Sequence, residues 1–328
     1  MLSEPGLKNA VLQSAPATKK EEVKRLITVR AVVLCALVSV GYLLLSHGLV
    51  GFKSDQVILI AIFNFCFFAS RITRQFIIGF SIFIVYWILF DYMKAFPNYL
   101  VNSVHIEDLY NLEKSLFGIT YNGSVLTPNE YFALHHSTPV DLITGVFYLC
   151  WVPVPLAFAA VLFFKNRVAF FQFSLTFFLV NILGFIGYYL YPAAPPWYVA
   201  QHGFEFIAST PGNTAGLSRF DQYVGSGIFE GIYAKSSNVF AAMPSMHASF
   251  MLIVLFYGIK YRLKAWNILF ATIMAGIWFS AVYSSHHYIL DVLAGIFCAV
   301  VAIFLLQWWV RTKTGKRFLN FLRFHTSN

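Results

Sequence analysis

Long apolar runs that contain almost no charge are the feature that most restricts the fold of this chain. A helix needs about 20 mainly apolar residues to cross a bilayer. Six apolar runs have roughly that length: 30–50, 75–93, 141–164, 168–191, 265–284 and 287–310. Two shorter runs with polar ends lie at 55–70 and 246–260. Only 11% of the residues are charged, which is about half the fraction of a soluble domain. The sequence therefore predicts an all-α membrane protein with about eight transmembrane helices.

The lysines and arginines between these runs predict how the chain is oriented. If both termini face the cytoplasm, the cytoplasmic segments hold 18 of the 23 basic residues and 3 of the 14 acidic ones. Basic residues concentrate on the cytoplasmic side of membrane proteins, so the distribution favours this orientation and an even number of spans. The net charge of +9 then reflects topology, and we expect no nucleic-acid partner.

The spacing of the runs also predicts the domain organisation. We expect a cytoplasmic segment at 1–29, one polytopic membrane domain at 30–310 and a basic cytoplasmic tail at 311–328. The first segment is polar, so the first span is interpreted as a signal anchor. Two long loops, about 94–140 and 192–245, would lie on the outer side, and the second is rich in aromatic residues. Loops of this length are usually functional or disordered, and the aromatic content favours an ordered cap. The four cysteines fall in predicted spans, so no disulfide framework or zinc site is expected.

Two short polar motifs, "PSMH" ending at His247 and "SSHHYILD" ending at Asp291, contain the candidate chemistry. His247 and His287 are 40 residues apart, about two membrane crossings and a tight turn, so both are expected on one membrane face. Each opens a predicted span, where unpaired backbone N–H groups and the helix dipole favour phosphate. Pro244 is expected in the first turn of its helix.

The four-residue spacing of His287 and Asp291 predicts that they share one helical face. Asp291 could then accept from one ring nitrogen of His287 and leave the other as a nucleophile, while His247 acts as general acid and base. An ionisable residue inside a span is costly and is usually functional, which applies to Asp291. Isolated interfacial histidines are more often structural, and that is the expectation for His47, His105, His135 and His136, with His202 and His286 left open.

These motifs resemble the second and third signature motifs of the type 2 phosphatidic acid phosphatase superfamily. The pattern is Pro-Ser-x-His before one span and Ser-Arg-x5-His-x3-Asp before another, and Ser280, His287 and Asp291 match the latter in register. The resemblance covers roughly 168–310 and implies a six-helix phosphatase or phosphotransferase core. It also implies that His287 becomes phosphohistidine, Asp291 orients it and His247 protonates the leaving oxygen, without a metal or another cofactor.

The departures from that pattern favour a particular class of substrate. Ala281 stands where the third motif has arginine, and no clear Lys-x6-Arg-Pro first motif is present. A dianionic phosphomonoester needs more basic partners than a monoanionic phosphodiester, so a diester is expected. "YPAAPPWY" at 191–198 and the His-His-Tyr before Asp291 are similar to inositol phosphorylceramide synthases of the fungal type. That resemblance implies transfer of inositol phosphate from phosphatidylinositol to ceramide at the outer leaflet, with release of diacylglycerol.

The candidate substrate-binding residues lie near the two motifs or in the second long loop. Serine hydroxyls can donate to phosphoryl oxygens, and an arginine or Lys235 could supply the missing positive charge. The set comprises Ser245, Ser284, Ser285, Tyr288, Pro196, Trp197, Tyr198 and Arg219. For 191–198 the alternative is an interfacial turn with a Trp/Tyr belt.

Two other functions remain open at this point. The first is a phosphatase of the same superfamily acting on phosphatidate, an isoprenoid diphosphate or phosphatidylglycerophosphate, for which released inorganic phosphate would be diagnostic. The second is a non-catalytic membrane channel or scaffold, against which the complete His–His–Asp set argues. The sequence identifies no partner subunit.

Overall fold

The computed structural model describes residues 26–235 and 238–327, and in that part the regular structure is helical apart from one small hairpin. This confirms the predicted all-α architecture. The chain divides into two compact units, Met1–Ile78 and Gly79–Asn328, and each is described by itself. Residues 1–25 of the predicted cytoplasmic segment 1–29 lie outside the described residues.

The first unit consists of α1 (Val29–Val50), α2 (Ser54–Ala69) and the start of α3 (Arg71–Tyr92). Thr28 begins α1 as an N-cap, because its side-chain oxygen accepts from the N–H of Ala31 at 3.2 Å. Asn64 donates to Ser39 Oγ at 3.0 Å and so joins α2 to α1. Most large apolar side chains of both helices are exposed, as expected for surfaces that face lipid.

The second unit holds the remaining long helices. They are α6 (Thr138–Leu149), α7 (Pro153–Lys165), α8 (Arg167–Leu190), α12 (Met246–Lys260), α13 (Trp266–Tyr283), α14 (Ile289–Trp309) and α15 (Lys313–Ser327). The helices α6 and α7 continue each other across a short break, because Pro153 and Pro155 lack the N–H groups that would bond to the preceding turn.

Six helices in the described residues are long and apolar enough to cross a membrane. They coincide with the six long runs expected from the sequence: Val29–Val50, Arg71–Ala95, Thr138–Lys165, Arg167–Leu190, Trp266–Tyr283 and Ile289–Trp309. The chain is therefore a multi-pass integral membrane protein. The two shorter runs form the apolar helices Ser54–Ala69 and Met246–Lys260, and the total of eight spans stays a prediction.

Both long loops contain ordered structure. Segment 94–140 contains α4 (Glu107–Phe117), the antiparallel strands β1 (Ile119–Tyr121) and β2 (Ser124–Leu126), and α5 (Pro128–Leu134). Segment 192–245 contains α9 (Pro196–His202), α10 (Ser218–Val224) and α11 (Ile228–Tyr233). Short one-turn 3-10 helices lie at 93–95, 98–100 and 215–217. Ala193 forms bridges with His105 and with Ala241, so the two segments are hydrogen-bonded to each other.

Helix α12 lies at the centre of the second unit and packs against α8, α13 and α14. Its residues Phe250, Met251, Ile253, Val254 and Tyr257 are completely buried. Glycines permit close approach on two sides. A Cβ on Gly295 of α14 would lie 2.1 Å from Ser245 O, and one on Gly184 of α8 would lie 2.6 Å from Met246 Sδ. The "PSMH" motif is therefore packed closely between α14 and α8.

Candidate active site

The structure brings the two histidine motifs together. His247 lies in the first turn of α12, and its Nδ1 is 3.1 Å from Nε2 of His287. On the other side of the His287 ring, Nδ1 lies 3.5 Å from Oδ2 of Asp291, which is longer than a normal hydrogen bond. The His287 and Asp291 side chains are buried. The three groups thus form a line in which the middle ring, His287, has a carboxylate behind it and a second imidazole in front.

The route by which His287 reaches this position differs from the one expected. Helix α14 begins at Ile289 with Tyr288 as its N-cap, so His287 precedes the helix and does not share a helical face with Asp291. Asp291 is the third helical residue, and its Oδ2 accepts from the N–H of Tyr288 at 2.8 Å. The same carboxylate therefore caps the helix and faces the histidine. The expectation that Pro244 lies in the first turn of its helix is also wrong, because Ser245 is the N-cap of α12 and the proline precedes it.

Residues 284–288, which we call the His287 loop, are held through their backbone. Their own N–H groups are satisfied locally, since His286 and His287 both donate to Ala281 O at 3.1 and 3.0 Å. Ser284 O accepts from the N–H of Gly216, and Ser285 O accepts from that of Trp197, each at 3.0 Å. Segment 192–245 thus binds two consecutive carbonyls of the loop.

His286 is held in place by contacts with segment 192–245 and with an aromatic ring of α6. Its Nε2 donates to Thr214 O at 2.9 Å, and its ring stacks on Tyr233 with centroids 4.4 Å apart and faces Tyr148 at 5.7 Å. Burial lowers the pKa of His286 to about 3, so the ring is neutral and holds its donor on the carbonyl. For this position, which the sequence left open, we therefore expect a structural role.

Two residues of segment 94–140 reach the same loop, and sequence reasoning missed both. The carboxylate of Glu113 accepts from the N–H groups of Ile289 and Leu290 at 2.9 and 3.1 Å. Asn129 donates from Nδ2 to the carbonyls of Val282 and His287 at 2.8 and 2.9 Å. Burial raises the pKa of Glu113 to about 6. A signal for Glu113 existed, since it lies four residues after the buried Leu109 and hence on the buried face of α4.

These contacts correct the expectation that both helix N-termini bind phosphate. At α14 the N–H groups of Tyr288, Ile289 and Leu290 already donate to carboxylates, so that terminus is occupied by protein anions. At α12 the N-cap Ser245 makes no side-chain capping bond, and its buried Oγ has no hydrogen-bond partner in the described residues. The anion-binding potential of the site therefore lies at the start of α12, beside His247.

Aromatic rings surround His247. Its ring faces Tyr148 with centroids 4.7 Å apart and Trp151 at 4.3 Å. These side chains come from the end of α6 and the break that follows it, so the third span contributes one wall of the site. Among residues 26–235 and 238–327, no group of three or more His, Cys, Asp or Glu side chains is arranged to hold a metal ion.

The "APPWY" residues, 194–198, contact the His287 loop, and among the described residues they form no hydrogen bond with the three groups of the His–His–Asp line. Pro196 begins α9, and Trp197 donates its N–H to the His287 loop as described above. The buried Tyr198 hydroxyl donates to Glu205 O at 2.7 Å and accepts from the N–H of Ile207 at 2.8 Å. Tyr288 is also buried, in a cluster with Leu109, Ala193 and Ala242. Their predicted contacts with substrate stay predictions.

Arg219 lies beside the site and is already paired. Its Nε donates to Asp141 Oδ1 at 2.7 Å, and the same oxygen accepts from the Tyr283 hydroxyl at 2.9 Å. Its buried Nη2 has no hydrogen-bond partner in the described part of the chain. A Cβ on Gly216 would lie 3.0 Å from this Nη2 and 2.9 Å from Cα of Ser284, which places the guanidinium next to the His287 loop. Its positive charge is thus largely balanced by Asp141.

The alanine that replaces the motif arginine belongs to the core. Ala281 is completely buried and packs with Ala248, Val282 and Val292. Its carbonyl is the acceptor for the His287 loop. An arginine side chain at this position would displace its neighbours. The packing of the core therefore requires a small residue where the motif has arginine.

An all-helical membrane protein with a His–His–Asp line at the ends of two adjacent helices is the arrangement expected of a lipid phosphatase or phosphotransferase. The family model described as "PAP2 superfamily" matches residues 108–305, and the chain belongs to this superfamily. The match begins well before the expected 168–310 and includes the helix that carries Glu113.

Several curated proteins are similar to this chain. A "Phosphoinositol dihydroceramide synthase" of Bacteroides thetaiotaomicron is 46% identical over 292 residues, which cover 88% of this chain and 94% of that protein. An "Inositol phosphorylceramide synthase" of Candida albicans is 30% identical over 47% of this chain and 35% of its own length. A Saccharomyces cerevisiae "Inositol phosphorylceramide synthase catalytic subunit" is 33% identical over 35% of this chain and 29% of its own. The matches thus span only about a third of the length of each of these two fungal proteins. No solved structure matches.

Proposed function

We propose that this protein is a lipid phosphotransferase that moves inositol phosphate from phosphatidylinositol to a ceramide or dihydroceramide and releases diacylglycerol. The observation that supports this most strongly is the 46% identity to a phosphoinositol dihydroceramide synthase over 94% of that protein. The His–His–Asp line supports the same chemistry, because it supplies a nucleophile and a proton donor in contact.

In the first step, His287 Nε2 attacks phosphorus and the bond from phosphorus to the diacylglycerol oxygen breaks. Asp291 faces the opposite nitrogen, so it stabilises the cation that forms on the ring. His247 gives its proton to the departing oxygen. The product is a phosphohistidine that carries inositol, together with free diacylglycerol.

The second step reverses these roles. His247 accepts the proton of the ceramide primary hydroxyl, whose oxygen attacks phosphorus and breaks the bond to His287. Water at the same place would give hydrolysis, so the acceptor must exclude water from the phosphohistidine. The aromatic rings of Tyr148 and Trp151 beside His247 suit an apolar acceptor chain.

Substrate binding has to separate the two histidines. In an in-line displacement the nucleophile lies about 3 Å from phosphorus, and the acid lies about 3 Å from the leaving oxygen on the opposite side. With the phosphorus–oxygen bond between them, the two nitrogens must be roughly 7 Å apart. The resting contact is 3.1 Å. The phosphoryl group would enter between the rings, with Ser245 Oγ and the first N–H groups of α12 as donors to its oxygens. The balanced charge of Arg219 suits a monoanionic phosphodiester.

We further propose that the reaction occurs at the non-cytoplasmic leaflet with both termini in the cytoplasm. The 18 to 5 division of basic residues supports this orientation. Residues 1–29 and 311–328 would then form cytoplasmic ends around the membrane domain at 30–310.

The test of the proposed function uses purified protein with headgroup-labelled phosphatidylinositol, with and without ceramide. The expected result is labelled inositol phosphorylceramide only when ceramide is present, and its loss in His287→Ala. Release of inositol phosphate at the same rate in both mixtures would instead identify a hydrolase of the superfamily.

A further inference from the structure

We infer that Glu113 and Asn129 are positioning residues that set the geometry of the nucleophile His287 from outside the His–His–Asp line. Both belong to segment 94–140, which supplies no member of that line. The inference rests on the proposed function only in that it concerns the same reaction at the same site.

Glu113 determines where helix α14 begins. Its two carboxylate oxygens each accept one backbone N–H, from Ile289 and from Leu290, at 2.9 and 3.1 Å. The side chain is completely buried, so water does not compete for these donors. A carboxylate that accepts two charge-assisted bonds at a helix N-terminus is a strong cap.

The start of α14 controls the orientation of Asp291. Asp291 is the third residue of the helix, and each helical residue turns the side-chain direction by about 100°. If the helix began one residue later or frayed over its first turn, Oδ2 of Asp291 would no longer lie behind Nδ1 of His287. The cap on Ile289 and Leu290 therefore acts on the nucleophile through Asp291.

Asn129 controls the other side of the same loop. One amide nitrogen donates to Val282 O, in the last turn of α13, and to the carbonyl of His287 itself. Val282 precedes the His287 loop and His287 lies near its end, so the amide holds these two carbonyls at a fixed separation. Asn129 is buried, so we infer that it acts on the reaction through these two hydrogen bonds to the loop.

The test compares Glu113→Gln and Asn129→Ala with matched exposed variants in α4, Glu107→Gln and Asn111→Ala. Glutamine keeps the shape of glutamate but turns one acceptor into a donor that faces an N–H. We expect both buried variants to lower kcat per folded molecule by about 10- to 100-fold, the usual cost of losing a group that orients a functional residue. We expect KM for phosphatidylinositol to change by less than about twofold, since neither residue touches the lipid. Both controls should keep wild-type values.

A double-mutant cycle separates positioning from simple stabilisation. In an Asp291→Asn background, Glu113→Gln should lose most of its effect on kcat, because the group through which it acts is already impaired. A cap with a purely structural role would lower the melting temperature equally in both backgrounds and leave kcat per folded molecule unchanged. That result, or kcat values for Glu113→Gln and Asn129→Ala that match the controls, would overturn the inference.

An activated phosphodiester with a nitrophenyl leaving group keeps this test independent of the lipid assignment. If the wild-type protein makes no inositol phosphorylceramide but cleaves this donor in a His287-dependent manner, the proposed function fails. The four variants and the cycle can then still be compared on the activated donor, where the same losses are expected.

Discussion

At the scale of single residues, the 3.1 Å contact between His247 and His287 determines how the two rings divide the chemistry. Asp291 faces Nδ1 of His287 and leaves Nε2 as the attacking atom. Among the described residues no carboxylate contacts His247, whose ring lies against those of Tyr148 and Trp151. The ring that can stabilise a lasting cation is thus His287, and His247 is suited to brief proton transfer.

The first prediction separates these roles by the leaving group. His247→Ala should lose about 10²–10⁴-fold in transfer from phosphatidylinositol, because an alkoxide leaves poorly without protonation. On a nitrophenyl phosphodiester, which needs little protonation, the same variant should retain much more activity. His287→Ala should be inactive on both donors and form no phosphoenzyme, and Asp291→Asn should impair both by similar factors. The measurement is the ratio of the two rates for each variant.

The control for this experiment is wild-type protein treated in parallel with each donor. Rescue of His287→Ala by the activated donor, without rescue of His247→Ala, would show that the two roles are reversed.

The second prediction concerns the pH dependence of stability through Glu113. The pKa of Glu113 is about 6 in the folded protein, above its ordinary 4.5, because burial disfavours the charged form. The fold therefore binds this proton more tightly than the unfolded chain. Above pH 6 the buried carboxylate of Glu113 is charged, which lowers the free energy of unfolding relative to the protonated form. As the pH falls from 6 to 4.5, Glu113 binds its proton in the folded protein and the free energy of unfolding rises. The unfolding free energy of wild type relative to Glu113→Gln should rise by about 1.5 kcal/mol between pH 7 and pH 4.5.

The measurement is thermal or denaturant unfolding of the two proteins at both pH values, and the other titrating groups cancel in the difference. A difference that stays constant, or that moves in the opposite direction, would contradict a raised pKa at Glu113.

At the scale of helices, glycines determine how closely the histidine-bearing elements approach. Gly295 follows Asp291 by four residues and lies where α14 passes the carbonyl of Ser245. The N-cap of α12 and the third residue of α14 thus belong to one close contact, which also brings His247 next to His287.

The third prediction is that Gly295→Ala reduces both stability and transfer. The new methyl carbon would lie 2.1 Å from Ser245 O, so α12 must move away from α14. Overpacking of this kind typically costs about 1–3 kcal/mol, and the shift separates His247 from its partner. Gly41→Ala in α1, where a methyl group meets nothing within 4 Å, is the matched control. Melting temperature and transfer rate measured for both variants test this. A Gly295→Ala protein as active as Gly41→Ala would refute it.

The helices themselves could be predicted from the sequence, and their starting residues could not. A run of 20 apolar residues can only be satisfied as a helix in lipid, and six such runs became helices of that kind. The start of α14 was misjudged by two residues because it depends on Glu113, 176 positions away from Ile289. No local pattern contains such a contact. The chemistry of His247, His287 and Asp291 could be proposed from spacing, whereas Glu113, Asn129 and the structural role of His286 required the fold.

At the scale of the whole molecule, charge distribution predicts a definite orientation in the membrane. Segment 192–245 carries only Arg219 and Lys235 as basic residues, whereas the turn between α12 and α13 carries three in five positions, 260–264. Because basic segments are usually retained in the cytoplasm, we expect these two regions on opposite sides of the membrane. The His287 loop is hydrogen-bonded to segment 192–245, so the side of that segment is also the side of the reaction.

The fourth prediction tests this orientation by cysteine labelling in intact cells. Gln201→Cys, at an exposed position in α9, should react with a membrane-impermeant thiol reagent. Ala265→Cys, exposed at the turn before α13, should react only after permeabilisation. The wild-type chain with its four native cysteines gives the background. The opposite pattern of labelling would place the reaction on the cytoplasmic side.

The burial of Ala281 limits how the motif arginine could be engineered into this chain. Ala281 belongs to a buried cluster with Ala248 and Val292, and its carbonyl accepts hydrogen bonds from the His287 loop. A single Ala281→Arg change would insert an unpaired guanidinium into apolar packing, which is strongly destabilising. Because substitutions at neighbouring positions are coupled, a tolerated arginine here would need compensating changes in the surrounding cluster. A redesign that seeks the activity of the arginine-containing motif therefore has to begin with the packing around Ala281.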